Sequence, residues 1–202
     1  MPVIIKSTNI AKKFNRMTLF RDISFSLSAG QSLSLTGRNG SGKSTLLKII
    51  AGITSPSSGS MTYALNGAAL GRYDFFSHIG FISPVMNVYE ELTGLENLRF
   101  VGGVKDDDRS LALLDRFELR GHENKPVRLY SSGMKQRLKL ACCLLNDPPV
   151  LLLDEPGMNL DRKGRDIIYS YLDSVREDRI IIIATNENEE AALCRGRIDL
   201  DH

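Results

Sequence analysis

Leu33-Ser34-Leu35-Thr36-Gly37-Arg38-Asn39-Gly40-Ser41-Gly42-Lys43-Ser44-Thr45-Leu46-Leu47-Lys48-Ile49-Ile50-Ala51-Gly52 decides the fold. Residues 31–36 alternate apolar and polar side chains, which predicts a strand. Residues 45–51 carry a helical period, and Gly52 ends it. GxxxxGKS between a strand and a helix is a specific signal for phosphate. Gly37, Gly40 and Gly42 let the backbone wrap phosphate oxygens with no Cβ in the way. The bare amides at the helix start point at the anion, and the helix dipole favours negative charge there. Lys43 supplies a positive charge for the β- and γ-phosphates, and Ser44 offers its hydroxyl to Mg²⁺.

A second stretch answers the first. Val150-Leu151-Leu152-Leu153-Asp154-Glu155 is a continuous apolar run that ends in two carboxylates. Such a run predicts a strand covered on both faces, and its C-terminal end is where open α/β sheets place ligands. Asp154 is suited to hold Mg²⁺, directly or through water. Glu155 is placed to polarise the water that attacks a γ-phosphorus. Lys43 and Asp154 lie roughly 110 residues apart, a spacing compatible with one P-loop core carrying an inserted lobe.

Working outward, residues 3–8 and 19–27 read as early strands, with 60–63 and 79–82 as two more. Residues 54–59 read as a loop. The stretch from 93 to about 120 reads as helices, with Leu95, Leu98, Leu111, Leu113, Leu114 and Phe117 as apolar contacts, interrupted by Gly102-Gly103 and a solvated loop at 105–109. Ser131 is suited to cap a helix running through Leu145. A helix over 166–175, a second apolar strand over 180–184, a short helix over 187–194 and a last strand over 198–200 complete the reading. The expected architecture is an α/β P-loop NTPase core with a mainly parallel sheet. A small antiparallel β lobe and a helical lobe at roughly 85–130 are added to it, all within a single domain over 1–202.

Composition narrows the function classes. Twenty-six Lys and Arg face 24 Asp and Glu, a net charge of +2, without the basic excess of a general nucleic-acid binder. The three cysteines, Cys142, Cys143 and Cys194, form neither a CxxC pair nor a disulfide framework, which fits a reducing cytoplasm. No apolar run approaches the roughly 18 residues of a membrane helix, and the first residues lack a signal-peptide core. A membrane role would therefore be peripheral, through a partner.

Taken in order, these motifs resemble the nucleotide-binding subunit of ABC transporters over nearly the whole chain. Residues 37–45 look like the Walker A loop and residues 150–155 like Walker B with its glutamate. Tyr130-Ser131-Ser132-Gly133-Met134-Lys135-Gln136-Arg137 is similar to the LSGGQxxR signature, with Tyr130, Ser132 and Met134 departing from it. Asn159-Leu160-Asp161 sits where the D-loop lies, and Phe14 where an aromatic ring stacks on adenine. The resemblance implies ATP and Mg²⁺ as ligands. It implies head-to-tail pairing with a second ATP-binding subunit, identical or not, so that Ser131 and Gly133 meet the γ-phosphate of the partner's ATP. A separate transmembrane permease subunit is implied too, with the chain on the inner face of the cell membrane; residues 89–100 fall where the family docks that partner. The short heme-exporter type is of similar size, leaving no room for a regulatory tail.

Two departures bear on turnover. The family's Q-loop glutamine aligns with Pro84, which has no side-chain donor, although Asn87 is near in sequence. The switch histidine aligns with Asn186, whose amide donates hydrogen bonds but carries neither proton nor charge. His78, His122 and His202 are not placed to substitute. Nucleotide binding is therefore expected to be intact and hydrolysis slow. Two other readings stand beside a transporter motor: a soluble ABC-type ATPase such as an iron–sulfur assembly subunit, and a nucleotide-gated subunit with negligible turnover.

Overall fold

The β-rich opening forms two long strands, β1 (Val3–Phe14) and β2 (Met17–Ser28). In β1, Val3, Ile5 and Ser7 are buried while Ile4, Lys6 and Thr8 are exposed, the period of a sheet with one covered face. They pair antiparallel with each other and with β4 (Ser58–Leu65), and β5 (Ala68–Leu70) closes the sheet in the order β2-β1-β4-β5. A second sheet has the order β6-β7-β8-β3-β9, built from β6 (Ile79–Ile82), β7 (Val150–Asp154), β8 (Ile180–Ala184), β3 (Ser32–Thr36) and β9 (Gly196–Asp199). The β7–β8, β8–β3 and β3–β9 pairings are parallel. All five residues of β7 and of β8 are buried, as their apolar runs require, and so are all five of β3, its serines and threonine included.

The computed structural model describes residues 3–15, 17–103 and 107–201. They divide into two compact units. The first comprises residues 1–81, 149–155 and 173–202 and holds both sheets and the helix α1 (Lys43–Ile50). Leu46, Leu47, Ile49 and Ile50 of α1 join Leu35, Leu152 and Ile182 of the parallel sheet and Ile5 and Ile10 of β1 in one core. Tyr63 stacks on Phe75 at 4.0 Å and its hydroxyl donates to the carbonyl of Ile50 at 3.0 Å; burial pushes that phenol up to about 12.

The second unit comprises residues 82–148 and 156–172, a longer stretch than the lobe expected at 85–130. It contains α3 (Gly94–Gly102), α4 (Asp107–Arg116), a 3₁₀ turn (Val127–Leu129), α5 (Ser132–Leu144) and most of α6 (Arg162–Val175). The extra length arises because α5 and α6 pack there: Phe117 lies 5.4 Å from Tyr171, and Arg137 donates to the Phe117 carbonyl. Thr93 and Glu96 form a reciprocal capping box at the start of α3. Buried Asn97 binds both the N–H and the carbonyl of Tyr89. Cys142 and Cys194 behave as small apolar groups, each thiol pushed up to about 12 by burial.

Several elements differ from the sequence expectation. β1 runs on to Phe14, and α6 begins at Arg162 rather than 166, where Asp161 accepts the Gly164 N–H. The loop expected at 105–109 is helical from Asp107, whose carboxylate pairs with Arg99 at 2.7 Å; Lys105 and Asp106 lie outside the described residues, as does His202. Leu111 is exposed rather than packed. The helix expected over 187–194 is only α7 (Asn188–Ala191), and β9 starts earlier, at Gly196. The short β5 and α2 (Arg72–Phe76) were not expected. Ser58 and Gly59, read as loop, belong to β4.

Gly59 faces the bulge of β1 between Thr8 and Ala11. Its φ is +80°, and a Cβ there would lie 2.3 Å from the Asn9 carbonyl oxygen, whereas Gly67, at φ +82°, has open space around it. Gly59→Ala is expected to cost about 3 kcal/mol, overpacking added to the left-handed penalty, and Gly67→Ala about 1 kcal/mol. Thermal unfolding of the two variants checks this; equal losses would contradict it.

Candidate functional site

The strand-to-helix turn between β3 and α1 carries the glycines at positive φ: Gly37 at +137°, Gly40 at +84° and Gly42 at +106°. Two of them are sterically required. A Cβ on Gly42 would meet Leu19 at 2.7 Å, and one on Gly37 would meet the Ser41 hydroxyl at 2.7 Å. A Cβ on Gly40 would point into open space, so its need is conformational. The turn lines a cavity of about 270 Å³ together with Phe14, Leu19, Asn39, Lys43, Ser44, Thr45 and Glu155. Phe14 is half exposed, and the Lys12 ammonium lies 5.1 Å from its ring centre.

Lys43 is buried, only 6% exposed. Its ammonium donates to the carbonyls of Gly37 at 2.6 Å and Arg38 at 3.2 Å and to Oδ1 of Asn186 at 2.5 Å. Asn186 in turn donates from Nδ2 to Oδ1 of Asn39. Asn186 is therefore wired into the glycine-rich loop from the end of β8. The Arg38 amide donates to Asp201, and the Ser41 amide to the Arg38 carbonyl; these two amides serve the loop itself. The Ser41 hydroxyl is buried without a hydrogen-bond partner.

Asp154 ends β7 and is 3% exposed. Burial raises its carboxyl above the ordinary carboxylate range, opposed by a hydrogen bond from the Ser44 hydroxyl, while nearby Glu155 raises it further. A hydroxyl and a carboxylate in contact are hard oxygen donors of the kind Mg²⁺ takes, with phosphate and water completing the shell. Among the described residues there is no group of three or more His, Cys, Asp or Glu side chains that could hold a metal ion. Glu155 sits at φ +49°, its amide donating to the Ala184 carbonyl at 2.8 Å. The left-handed turn directs the chain away from β7 directly after the acidic pair.

The second unit carries the other expected residues. Ser131 caps α5, its hydroxyl accepting the Met134 amide at 3.2 Å. Gly133 lies against Leu160 and Asn159. Asn87, Ser132, Lys135, Gln136, Lys139 and Asn159 line a cavity of about 140 Å³. Pro84 lies in an exposed turn. Tyr130, a departure from the signature, is buried; its hydroxyl donates to the His122 carbonyl at 2.7 Å and lies where a Cβ on Gly94 would be. Sequence reasoning missed Leu19, the Lys43–Asn186–Asn39 chain and Asp201. The places of Asn186 and Asp201 just beyond predicted strands were readable, but the bonds they make were not.

A parallel sheet with a phosphate-type loop at one strand end and an acidic pair at a neighbouring one defines a P-loop nucleotide-binding protein. A family model described as ABC transporter matches residues 20–158, and the chain belongs to that family. It is 35% identical over 198 residues to the Nod factor export ATP-binding protein I of Rhizobium leguminosarum bv. viciae, covering 94% of this chain and 63% of that protein. It is 30% identical over 190 residues to the cytochrome c biogenesis ATP-binding export protein CcmA of Vibrio cholerae serotype O1, covering 92% of each. The chain thus spans less than two thirds of the Nod factor relatives' length and nearly all of CcmA. Among solved structures, the dimeric bacterial ABC transporter cassette MJ0796 matches with a TM-score of 0.84 at 26% identity, over 96% of this chain and 93% of that one. Among the described residues no helix is long and apolar enough to cross a membrane.

Because burial raises the proton affinity of the Asp154 carboxyl in the folded state, holding it ionised costs stability at neutral pH. Asp154→Asn is therefore expected to raise the unfolding temperature of the nucleotide-free chain while weakening Mg²⁺-dependent ATP binding about tenfold or more. Calorimetry with and without Mg²⁺ measures both; a destabilised Asn variant would contradict the account.

Proposed function

We propose that the chain is the ATP-binding and ATP-hydrolysing subunit of an ABC transporter, one cassette domain that powers a separate transmembrane permease. The observation that carries this reading is buried Lys43 at the floor of the loop cavity, with the Ser44–Asp154 contact in the same unit. The residues act in defined roles. Phe14 stacks the adenine. Loop amides and Lys43 bind the phosphates. Ser44 and Asp154 hold the magnesium ion, which supplies charge neutralisation for the phosphates. Glu155 orients or deprotonates the attacking water. Ser131 and Gly133 open α5 with free amides and face the nucleotide of a second ATP-binding subunit, equal or different, in a head-to-tail pair. The dimeric assembly of the MJ0796 cassette supports this pairing.

Binding of ATP between two such subunits favours the closed pair, and hydrolysis releases it. The permease transmits that motion and brings the chain to the inner face of the cell membrane without direct lipid contact. The names of the relatives, export ATP-binding proteins among them, favour this transport role over a soluble ATPase of another kind.

Turnover is slow in this proposal, because Asn186 stands at the switch position and Pro84 at the Q-loop. One positioned group is worth about 10²–10³ in rate. Asn186→His is expected to raise Mg²⁺-dependent phosphate release, and Glu155→Gln to lower it about 10²-fold with ATP binding retained. Phosphate-release assays on the three proteins decide it. No gain with His overturns the role given to Asn186, and equal rates for the native chain and Glu155→Gln leave a nucleotide-gated subunit in its place.

A further inference from the structure

The Gly37–Arg38 peptide is held from both sides. Its carbonyl accepts the Lys43 ammonium at 2.6 Å, and its N–H donates to both carboxylate oxygens of Asp201, at 2.9 and 3.0 Å. In a trans peptide these two groups point in opposite directions within the peptide plane, so Lys43 and Asp201 lie at opposite edges of one rigid planar unit. Turning that plane over would aim an N–H at an ammonium and a carbonyl at a carboxylate. Both contacts would be repulsive.

Asp201 is itself positioned by the sheet. β9 pairs in parallel with β3, Asp199 opposite Thr36, and the Leu200 amide donates to the Thr36 carbonyl at 2.9 Å. Leu200 is buried and anchors the segment. The Asp201 amide donates to Asp199 at 3.0 Å, and Arg197 links Asp199 at 3.4 Å to the Thr36 hydroxyl at 2.9 Å. The Arg38 side chain approaches Asp201 only to 3.8 Å and is 86% exposed, so that ion pair adds little.

We propose that Asp201 is a positioning residue for the phosphate loop: by accepting the Arg38 amide it fixes the peptide whose carbonyl holds Lys43. The inference rests on the nucleotide-binding reading above, and the sign of its effect separates it from simple electrostatics. A carboxylate beside a polyphosphate site repels the ligand, so by charge alone its removal tightens binding. As a positioning group, its removal weakens binding.

The test uses the ¹⁵N-labelled full chain with Asp201→Ala and Asp201→Asn, MgADP as the probe and the Arg38 amide resonance as an independent readout. Asp201→Ala is expected to lose about tenfold in MgADP affinity, on the scale of one charge-assisted hydrogen bond. Asp201→Asn, whose amide oxygen still accepts the N–H, stays within about threefold of the native chain. The Arg38 amide proton shifts upfield in both variants, further in Ala. Native or tighter affinity in Asp201→Ala overturns the proposal, as does an Asn variant as weak as Ala. If Asp201→Ala does not fold, a tenfold loss in Asp201→Asn overturns it. Should the native chain not bind MgADP, the nucleotide reading fails, and an Arg38 resonance unmoved in the variants rejects the Asp201 contact separately.

Discussion

A buried ammonium governs the nucleotide end of this molecule. Lys43 is withdrawn from water, and a desolvated cation needs acceptors. It finds two backbone carbonyls of its own loop and the Asn186 amide. Those acceptors are available only because Gly37, Gly40 and Gly42 adopt positive φ and turn the chain back on itself. Those φ values hold because β3 and α1 enter one core on either side of the turn. The order of cause therefore runs from apolar burial in the sheet, through a turn that only glycine adopts freely, to one fixed positive charge.

The sheet order explains why distant residues meet at that charge. Placing β3 between β8 and β9 brings residues near 186 and 200 to the end of the strand that feeds the loop. β7 lies on the far side of β8 and delivers Asp154, with Glu155 turned out by its left-handed backbone. Parallel strands put all four chain exits on one edge, so side chains from four separate stretches converge without long loops.

Much of this was legible in the sequence, for identifiable reasons. Fully apolar runs at 150–153 and 180–184 have one stable placement, the interior of a parallel sheet. The glycine spacing 37, 40 and 42 has one backbone solution. What escaped reading was short or non-local. β5 spans three residues and α2 five, too few to establish a period. The Asn186–Lys43 bond joins positions 143 residues apart, and pattern within a window carries no trace of it. Tyr130 reads as damage to a motif, yet it is core: burial raises its phenol to about 12 and its hydroxyl is satisfied by His122.

The seat of that phenol has an evolutionary corollary. The Tyr130 hydroxyl lies 2.4 Å from where a Cβ on Gly94 would stand. The two positions are coupled. Enlarging 94 displaces the phenol hydroxyl, and shrinking 130 empties the space over a helix start and leaves the His122 carbonyl with the Lys125 amide alone as donor. Lineages descending from this chain should therefore exchange the two residues together or leave both untouched, so an alanine at 94 would herald a smaller partner at 130.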